Sequence, residues 1–185
     1  FLTGAVFLFS ALCGCDRQSS LIAPNESIAI RSIATVNSDA KILETANLTA
    51  GRFVTLDDKV IAEWVPMRDD KPLDVKIVGN AVTRQNQPRT DLLVLHSGDD
   101  ISNIEIASVK DFTDGASVER TLITLTDNGS RMLFSFTVEH VGQPVAVIAS
   151  GEIRALPRIV SPVRNEMVLS PDRIDKVGVI PSAVN

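Results

Sequence analysis

The stretch Val145-Ala146-Val147-Ile148-Ala149 is apolar at every position, and this constrains the fold more than any other feature of the chain. A strand with one wet face alternates apolar and polar residues, whereas a strand without alternation needs cover on both faces. One cover lies just upstream. Met132, Leu133, Phe136 and His140 recur at helical spacing, Thr126 or Asp127 offers an N-cap oxygen, and Gly142 and Pro144 end the pattern. The spacing predicts one helix over about 128–140, packed through Met132, Leu133 and Phe136.

The remaining signals are mostly those of strands. Ile28 to Ile33 and Arg52 to Leu56 alternate, as does Ile104 to Val109. Thr121 to Leu125 is rich in β-branched residues, Leu92 to Leu95 is a short strand, and Ile153 to Leu156 and Met167 to Leu169 follow the apolar strand. Asp111 to Gly115 reads as a turn. Val60 to Val65 and Leu73 to Val78 flank the polar cluster Arg68 to Pro72, the pattern of a hairpin, and Ser170-Pro171-Asp172 is a helix-start signal. The expected class is α+β: a mainly antiparallel sheet with one principal packed helix and an additional β-rich N-terminal part. Asn80 to Thr90 is polar and marks the best internal boundary, dividing a β-rich segment 28–87 from an α+β domain 88–185.

Composition excludes several partners and chemistries. The net charge is −5 and the basic residues are scattered, which argues against nucleic acid, since phosphate binding needs a concentrated basic surface. There is no Tyr, Trp64 is the single Trp, and beyond residue 15 the Phe residues are Phe53, Phe112, Phe134 and Phe136. Stacking platforms for bases or sugars are hard to build from so few rings. His96 and His140 are the two histidines, and no His-x-x-x-His spacing is present. His140 suits a helix C-terminus, where a cation complements the dipole, and His96 reads as a loop residue. The acid pairs Asp57-Asp58, Asp69-Asp70 and Asp99-Asp100 lack the ligand spacing of a calcium loop. No Gly-x-Ser-x-Gly elbow or phosphate-binding glycine loop occurs. The expectation is a protein without cofactor, metal or catalytic activity.

The segment from Phe1 is apolar and ends at Leu12-Cys13-Gly14-Cys15, ahead of the polar Asp16 to Ser20. It has the length of a signal-peptide hydrophobic region and falls short of the roughly 20 residues of a spanning helix. Leu, small residues, then Cys resembles the lipobox of bacterial lipoproteins, in which signal peptidase cuts before the Cys. The resemblance implies a signal peptide over 1–14, truncated at its start, a lipidated Cys15 and a flexible tether through residue 27. Cys13 would leave with the signal, so the mature chain would hold no disulfide or thiolate metal site. The implied location is the bacterial cell envelope, lipid-anchored and facing the periplasm. Asp16 resembles the residue that retains enterobacterial lipoproteins at the inner membrane.

A second resemblance covers about half the chain, from Leu92 to Asp172. Ile123-Thr-Leu-Thr-Asp-Asn-Gly-Ser-Arg131, the helix through Phe136-Thr137, Val141-Gly-Gln-Pro-Val-Ala-Val-Ile148 and Ser150-Gly-Glu-Ile-Arg-Ala-Leu-Pro157 follow in order. This series resembles the periplasmic head subdomain of SecD/SecDF, the membrane protein that assists protein export. Gln143 stands where that family has Lys, Ser150 where it has Asp, and Leu156 where it has a small residue. The resemblance implies contact with unfolded exported polypeptide or with the export machinery. The expected surface is a groove between the helix and the segment from Gly142 through Val163, with Gly142, Gln143, Gly151, Arg154, Pro157, Arg158 and Pro162 as polypeptide-binding residues. The alternatives are a structural lipoprotein that docks on an envelope complex without a client, or a hydrolase.

Overall fold

A computed structural model describes residues 26–67, 80–98, 100–102, 104–115, 117 and 119–169. Cys15, the signal and most of the tether lie outside the described residues, as do the expected second strand of the Arg68 to Pro72 hairpin and the Ser170 helix start. The elements are β1 (Ile28–Ser32), α1 (Ala40–Leu48), β2 (Phe53–Leu56), β3 (Lys59–Pro66), β4 (Thr83–Asn86), β5 (Arg89–Leu95), β6 (Ile106–Thr113), β7 (Glu119–Leu125), α2 (Asp127–Glu139), β8 (Val145–Ala149), β9 (Glu152–Ala155) and β10 (Glu166–Leu169).

Every strand pairing is antiparallel among the described residues, in three sheets of order β1-β8-β9, β10-β7-β6 and β2-β3-β5-β4. β8 takes the centre of the first sheet, with Ile30 opposite Val147 and Ile28 opposite Ala149. Two isolated bridges join this sheet to the four-stranded one, Ile33 to Val94 and Met67 to Ile153. The circuit β3-β5-β1-β8-β9 and back to β3 is thus a partly closed barrel.

Period-two alternation sorts the side chains into layers. Ala146 and Ile148 of β8 join Ile33, Val65, Met67, Leu92, Val94, Ile153 and Leu156 inside the ring. Val145, Val147 and Ala149 point the other way, into a cluster with Ile28, Ile30, Leu133, Phe136, Ile123 and Leu169. On the far side of β3 and β5, Ala62, Trp64 and Leu93 meet Val54 and Ala46 of α1. The expectation of cover on both faces of β8 agrees with this arrangement.

The expected α+β class with one principal helix is overturned. Among the described residues strand makes up 50% and helix 17%, the helices are two and short, and the structure is mostly antiparallel β. The physical reason lies in who covers β8. Its inward side chains are covered by β3 and β5, and α2 shares the outward cluster with β1, β7 and β10. The boundary expected between 87 and 88 falls within the β4–β5 hairpin, where Asn86 pairs with Arg89 and Arg84 with Asp91. β6 runs to Thr113, so the expected turn at Asp111 to Gly115 begins only after it.

Local signals place the site. Thr126 caps α2 by accepting from the Gly129 amide at 3.2 Å. Gly129 is needed because a Cβ there would overlap the carbonyl oxygen of Glu105. Ser150 and Gly151 both take positive φ in the two-residue β8–β9 turn, as do Asp57 and Asp58 between β2 and β3. His140 ends α2, donates Nδ1–H to the Phe136 carbonyl at 2.8 Å and stacks on the Phe136 ring with centroids 4.1 Å apart.

Candidate functional site

Three element ends converge on a cleft of about 440 Å³. Ser32, Ile33, Thr35 and Ser38 come from β1 and the turn after it, Leu95 and Ser97 from the end of β5, and His140, Gln143 and Pro144 from the link between α2 and β8. The volume lies in the range of small-molecule sites, roughly 300–1,000 Å³. No lining side chain is acidic, lysine or arginine. The polar groups are hydroxyls, a carboxamide and an imidazole. The Ser32 hydroxyl is buried without a hydrogen-bond partner among the described residues. The Ser38 hydroxyl accepts from the Thr35 amide at 2.9 Å, and the Ser97 hydroxyl donates to Asp100 at 2.8 Å. Hydroxyls both donate and accept, so such a wall matches uncharged ligand groups of either polarity.

Beside the cleft, one end of the ring interior carries charge where apolar packing would be expected. Arg31 lies on the same face of β1 as Ala29, Glu63 on the face of β3 that holds Val65, and His96 follows Leu92 and Val94 on β5. Arg31 Nη1 donates to Glu63 Oε2 at 2.7 Å and is also 2.7 Å from His96 Nε2. His96 Nε2 is 3.2 Å from Glu63 Oε2, and Arg52 Nε donates to Glu63 Oε1 at 2.6 Å. Arg31 Nε lies 3.7 Å from Asp100 Oδ2, beyond hydrogen-bond reach, and is a buried donor without a hydrogen-bond partner among the described residues.

The two carboxylates respond oppositely to this setting. Burial raises the Glu63 pKa, but the hydrogen bonds from Arg52 and Arg31 and the Arg52 charge outweigh it, and the net direction is down from the ordinary 4.5. For Asp100 burial prevails over the Ser97 hydrogen bonds and the Arg31 charge, and the net direction is up from 3.8.

The sequence-predicted binding residues divide into groups. Gln143 lines the cleft. Gly142 lies next to it, accepting from Arg158 Nη1 at 2.6 Å and donating to the Ile159 carbonyl at 2.7 Å. The Pro157 carbonyl accepts from the Val145 amide at 2.9 Å. Gly151 and Arg154 sit at the β8–β9 turn and on β9, where Arg154 pairs with Glu26 at 3.3 Å. Pro162 precedes Val163, whose amide donates to the Thr137 hydroxyl at 2.9 Å. Between α2 and the segment 157–163 the space left is about 40 Å³, lined by Leu133, Thr137, Pro157, Ile159 and Val163. That volume holds about one water.

Sequence reasoning did not single out Arg31, Glu63 or the contacts of His96. A signal was present: each is a polar residue on the inward face of an alternating strand. Ser32, Thr35, Ser38 and Ser97 carried no signal, since they reach the cleft through tertiary pairings such as the Ile33–Val94 bridge. Among the described residues no group of His, Cys, Asp and Glu is placed to hold a metal ion, and no helix is long and apolar enough to cross a membrane.

No protein-family model and no curated protein matches the chain. Two solved structures are similar to it in part. One is of SecDF, described as a membrane component that enhances protein export, with 12% identity, a TM-score of 0.43, and coverage of 79% of this chain and 56% of that one. The other is SecDF in a super-membrane-facing form, with 10% identity, a TM-score of 0.37, and coverage of 84% and 28%. Both scores are below 0.5. The chain spans about half the first of these proteins and less of the second.

Proposed function

We propose that this chain is a lipid-anchored binding module of a bacterial cell envelope, facing the periplasm, that contacts exported polypeptide or the export machinery and performs no catalysis. The observation that carries the binding role is the uncharged, hydroxyl-lined cleft between β1, β5 and the α2–β8 link. An extended polypeptide presents uncharged amide donors and acceptors at every residue. Walls of Ser, Thr and Gln engage them in many registers, while Ile33, Leu95 and Pro144 accept apolar side chains. The His140 Nδ1–H is committed to a helix carbonyl and the Ser97 hydroxyl to Asp100, which favours binding over nucleophilic chemistry. The residue series from Leu92 to Asp172, which resembles the SecD/SecDF head, supports the export context.

The anchor rests on Leu12-Cys13-Gly14-Cys15. A diacylglycerol with an N-acyl chain exceeds the two signals that stable attachment needs. Asp16 favours the inner membrane. Cys15→Ser is expected to release the protein from membranes, and mass spectrometry of the native N-terminus checks the lipid. Titrating an unfolded polypeptide into the protein while following amide shifts tests the cleft. Shifts at Ser32, Ser38, Ser97 and Gln143, weakened by Gln143→Ala, are expected, with a Kd in the micromolar range or weaker, about −8 kcal/mol at best. Shifts elsewhere, or none at saturation, would sink the assignment.

A further inference from the structure

We propose that His96 is a proton-operated latch on the cleft, whose protonation transfers Arg31 from the imidazole to Asp100 and so frees Ser97 from the cleft wall. The proposal rests on the reading above only for what the cleft holds. The latch is a property of the protein without ligand.

The geometry admits one proton arrangement at a time. A guanidinium nitrogen only donates, and Arg31 Nη1 carries two hydrogens, one for Glu63 Oε2 and one for His96 Nε2, each at 2.7 Å. In the proposed resting state Nε2 accepts from Arg31, and the imidazole is neutral with its hydrogen on Nδ1. A proton taken from solvent onto Nε2 would set two N–H donors face to face at that distance. The protonated ring has another acceptor in reach, Glu63 Oε2 at 3.2 Å. Arg31 has another acceptor too: its Nε–H is buried without a hydrogen-bond partner among the described residues, and Asp100 Oδ2 lies 3.7 Å away. One proton thus exchanges two pairings, and the orphaned donor shows where Arg31 goes.

Charge drives the exchange in the same direction. The groups that face His96 are Arg31 from β1, Glu63 from β3, Arg52 from the segment before β2 and Asp100 from the loop after β5. With a neutral imidazole, two cations balance two anions. The added proton leaves a net positive charge among side chains that are 7% exposed at Glu63 and 15% at Arg31. Drawing Arg31 toward Asp100 leaves that net charge unchanged but moves the guanidinium away from the imidazolium and against an anion. Asp100 is also what fixes the cleft wall, accepting from the Ser97 amide at 3.1 Å and the Ser97 hydroxyl at 2.8 Å. A carboxylate turned toward Arg31 loosens that double hold, and with it the wall lined by Ser97.

The test is nitrogen-15 NMR on the full chain without ligand, from about pH 8 to about pH 5, where imidazoles change charge. The expected starting state is His96 with hydrogen on Nδ1 and bare Nε2. As Nε2 takes its proton, the Arg31 Nε resonance and the Ser97 and Asp100 amides are expected to shift with the same midpoint. His96→Gln is expected to abolish these shifts. An Nε2–H tautomer at high pH would overturn the latch, and needs no variant to observe. So would flat Arg31 and Ser97 signals through the titration of His96, or unchanged shifts in His96→Gln, which would assign the titration to Asp100. Polypeptide titration at the two pH limits separates the two ideas. Co-titration without any polypeptide binding keeps the latch and removes the export reading, whereas binding with flat Arg31 and Ser97 signals does the reverse.

Discussion

β8 and β3 both form part of the ring wall with one face turned inward, yet they fill the interior differently. β8 presents Ala146 and Ile148, and all five of its residues are buried. β3 presents Val65 and, two residues earlier, Glu63, which is 5% exposed and bound to Arg31 and Arg52. Apolar packing is indifferent to pH and weakly affected by salt, so the β8 side is fixed. A buried ionic set rarely holds a structure better than apolar side chains of the same volume. What it adds at the β3 end is dependence on protons, beside the cleft.

Breaking each side in turn sharpens the contrast, and the largest effect is expected on the packed side. Phe136→Ala empties a site that is 2% exposed and is expected to destabilise by about 3–5 kcal/mol, read from the shift in urea midpoint. An unchanged midpoint would place the ring at the surface and remove α2 from the cover of β8. On the ionic side, Glu63→Gln leaves Arg31 buried with no carboxylate on its Nη1 and is expected to destabilise by about 3 kcal/mol. Glu63→Leu with Arg31→Met is expected to lose less than that single change, since no charge is stranded. If the pair of changes loses more, the ionic set is a net source of stability and the contrast with β8 fails.

Gly129→Ala probes how tightly α2 is seated on the packed side. Its Cβ would overlap the Glu105 carbonyl oxygen, so α2 or the segment before β6 must shift. A loss of about 1–3 kcal/mol is expected. A neutral result would show that the α2 N-terminus floats over the sheet.

What the sequence revealed followed the same division. β8, β1 and α2 were legible because burial on one or both faces writes itself into local periodicity. α1 was not, because only Ala46 of its nine residues is buried and its remaining pattern is mixed, although Asp39 caps it by accepting from Lys41 and Ile42. β4 was not, because Thr83 to Asn86 are polar residues on a sheet edge that resemble a loop. The ring was out of reach, since Ile33–Val94 and Met67–Ile153 are single bridges between segments far apart in the chain. Without those bridges, local periodicity leaves the helix as the principal cover of β8, and the α+β expectation follows from that. Gln143 was named for another place, a groove between the helix and the segment from Gly142 through Val163, and the meeting of Arg31, Glu63 and His96 depends on three pairings no local pattern encodes.

The smallest expected effect lies within the ionic set, where two carboxylates act against each other in acid. Glu63 has its pKa held below the ordinary 4.5, so its contribution is present above that value and is lost as pH falls through its lowered one. Asp100 has its pKa raised above 3.8, so the folded state keeps its proton more firmly than the unfolded chain. Its contribution is therefore full below 3.8 and is lost as pH rises through the raised value. In the native protein the gain at Asp100 partly offsets the loss at Glu63 as the solution is acidified. Asp100→Asn removes the gain and leaves the loss. Urea midpoints taken in steps from about pH 7 to about pH 3 are expected to fall more steeply in the variant than in the native protein. Parallel slopes would mean that Asp100 is not buried against Arg31 and Ser97 in solution. The β3 end would then hold a single responsive carboxylate, and its difference from β8 would shrink to one ion pair.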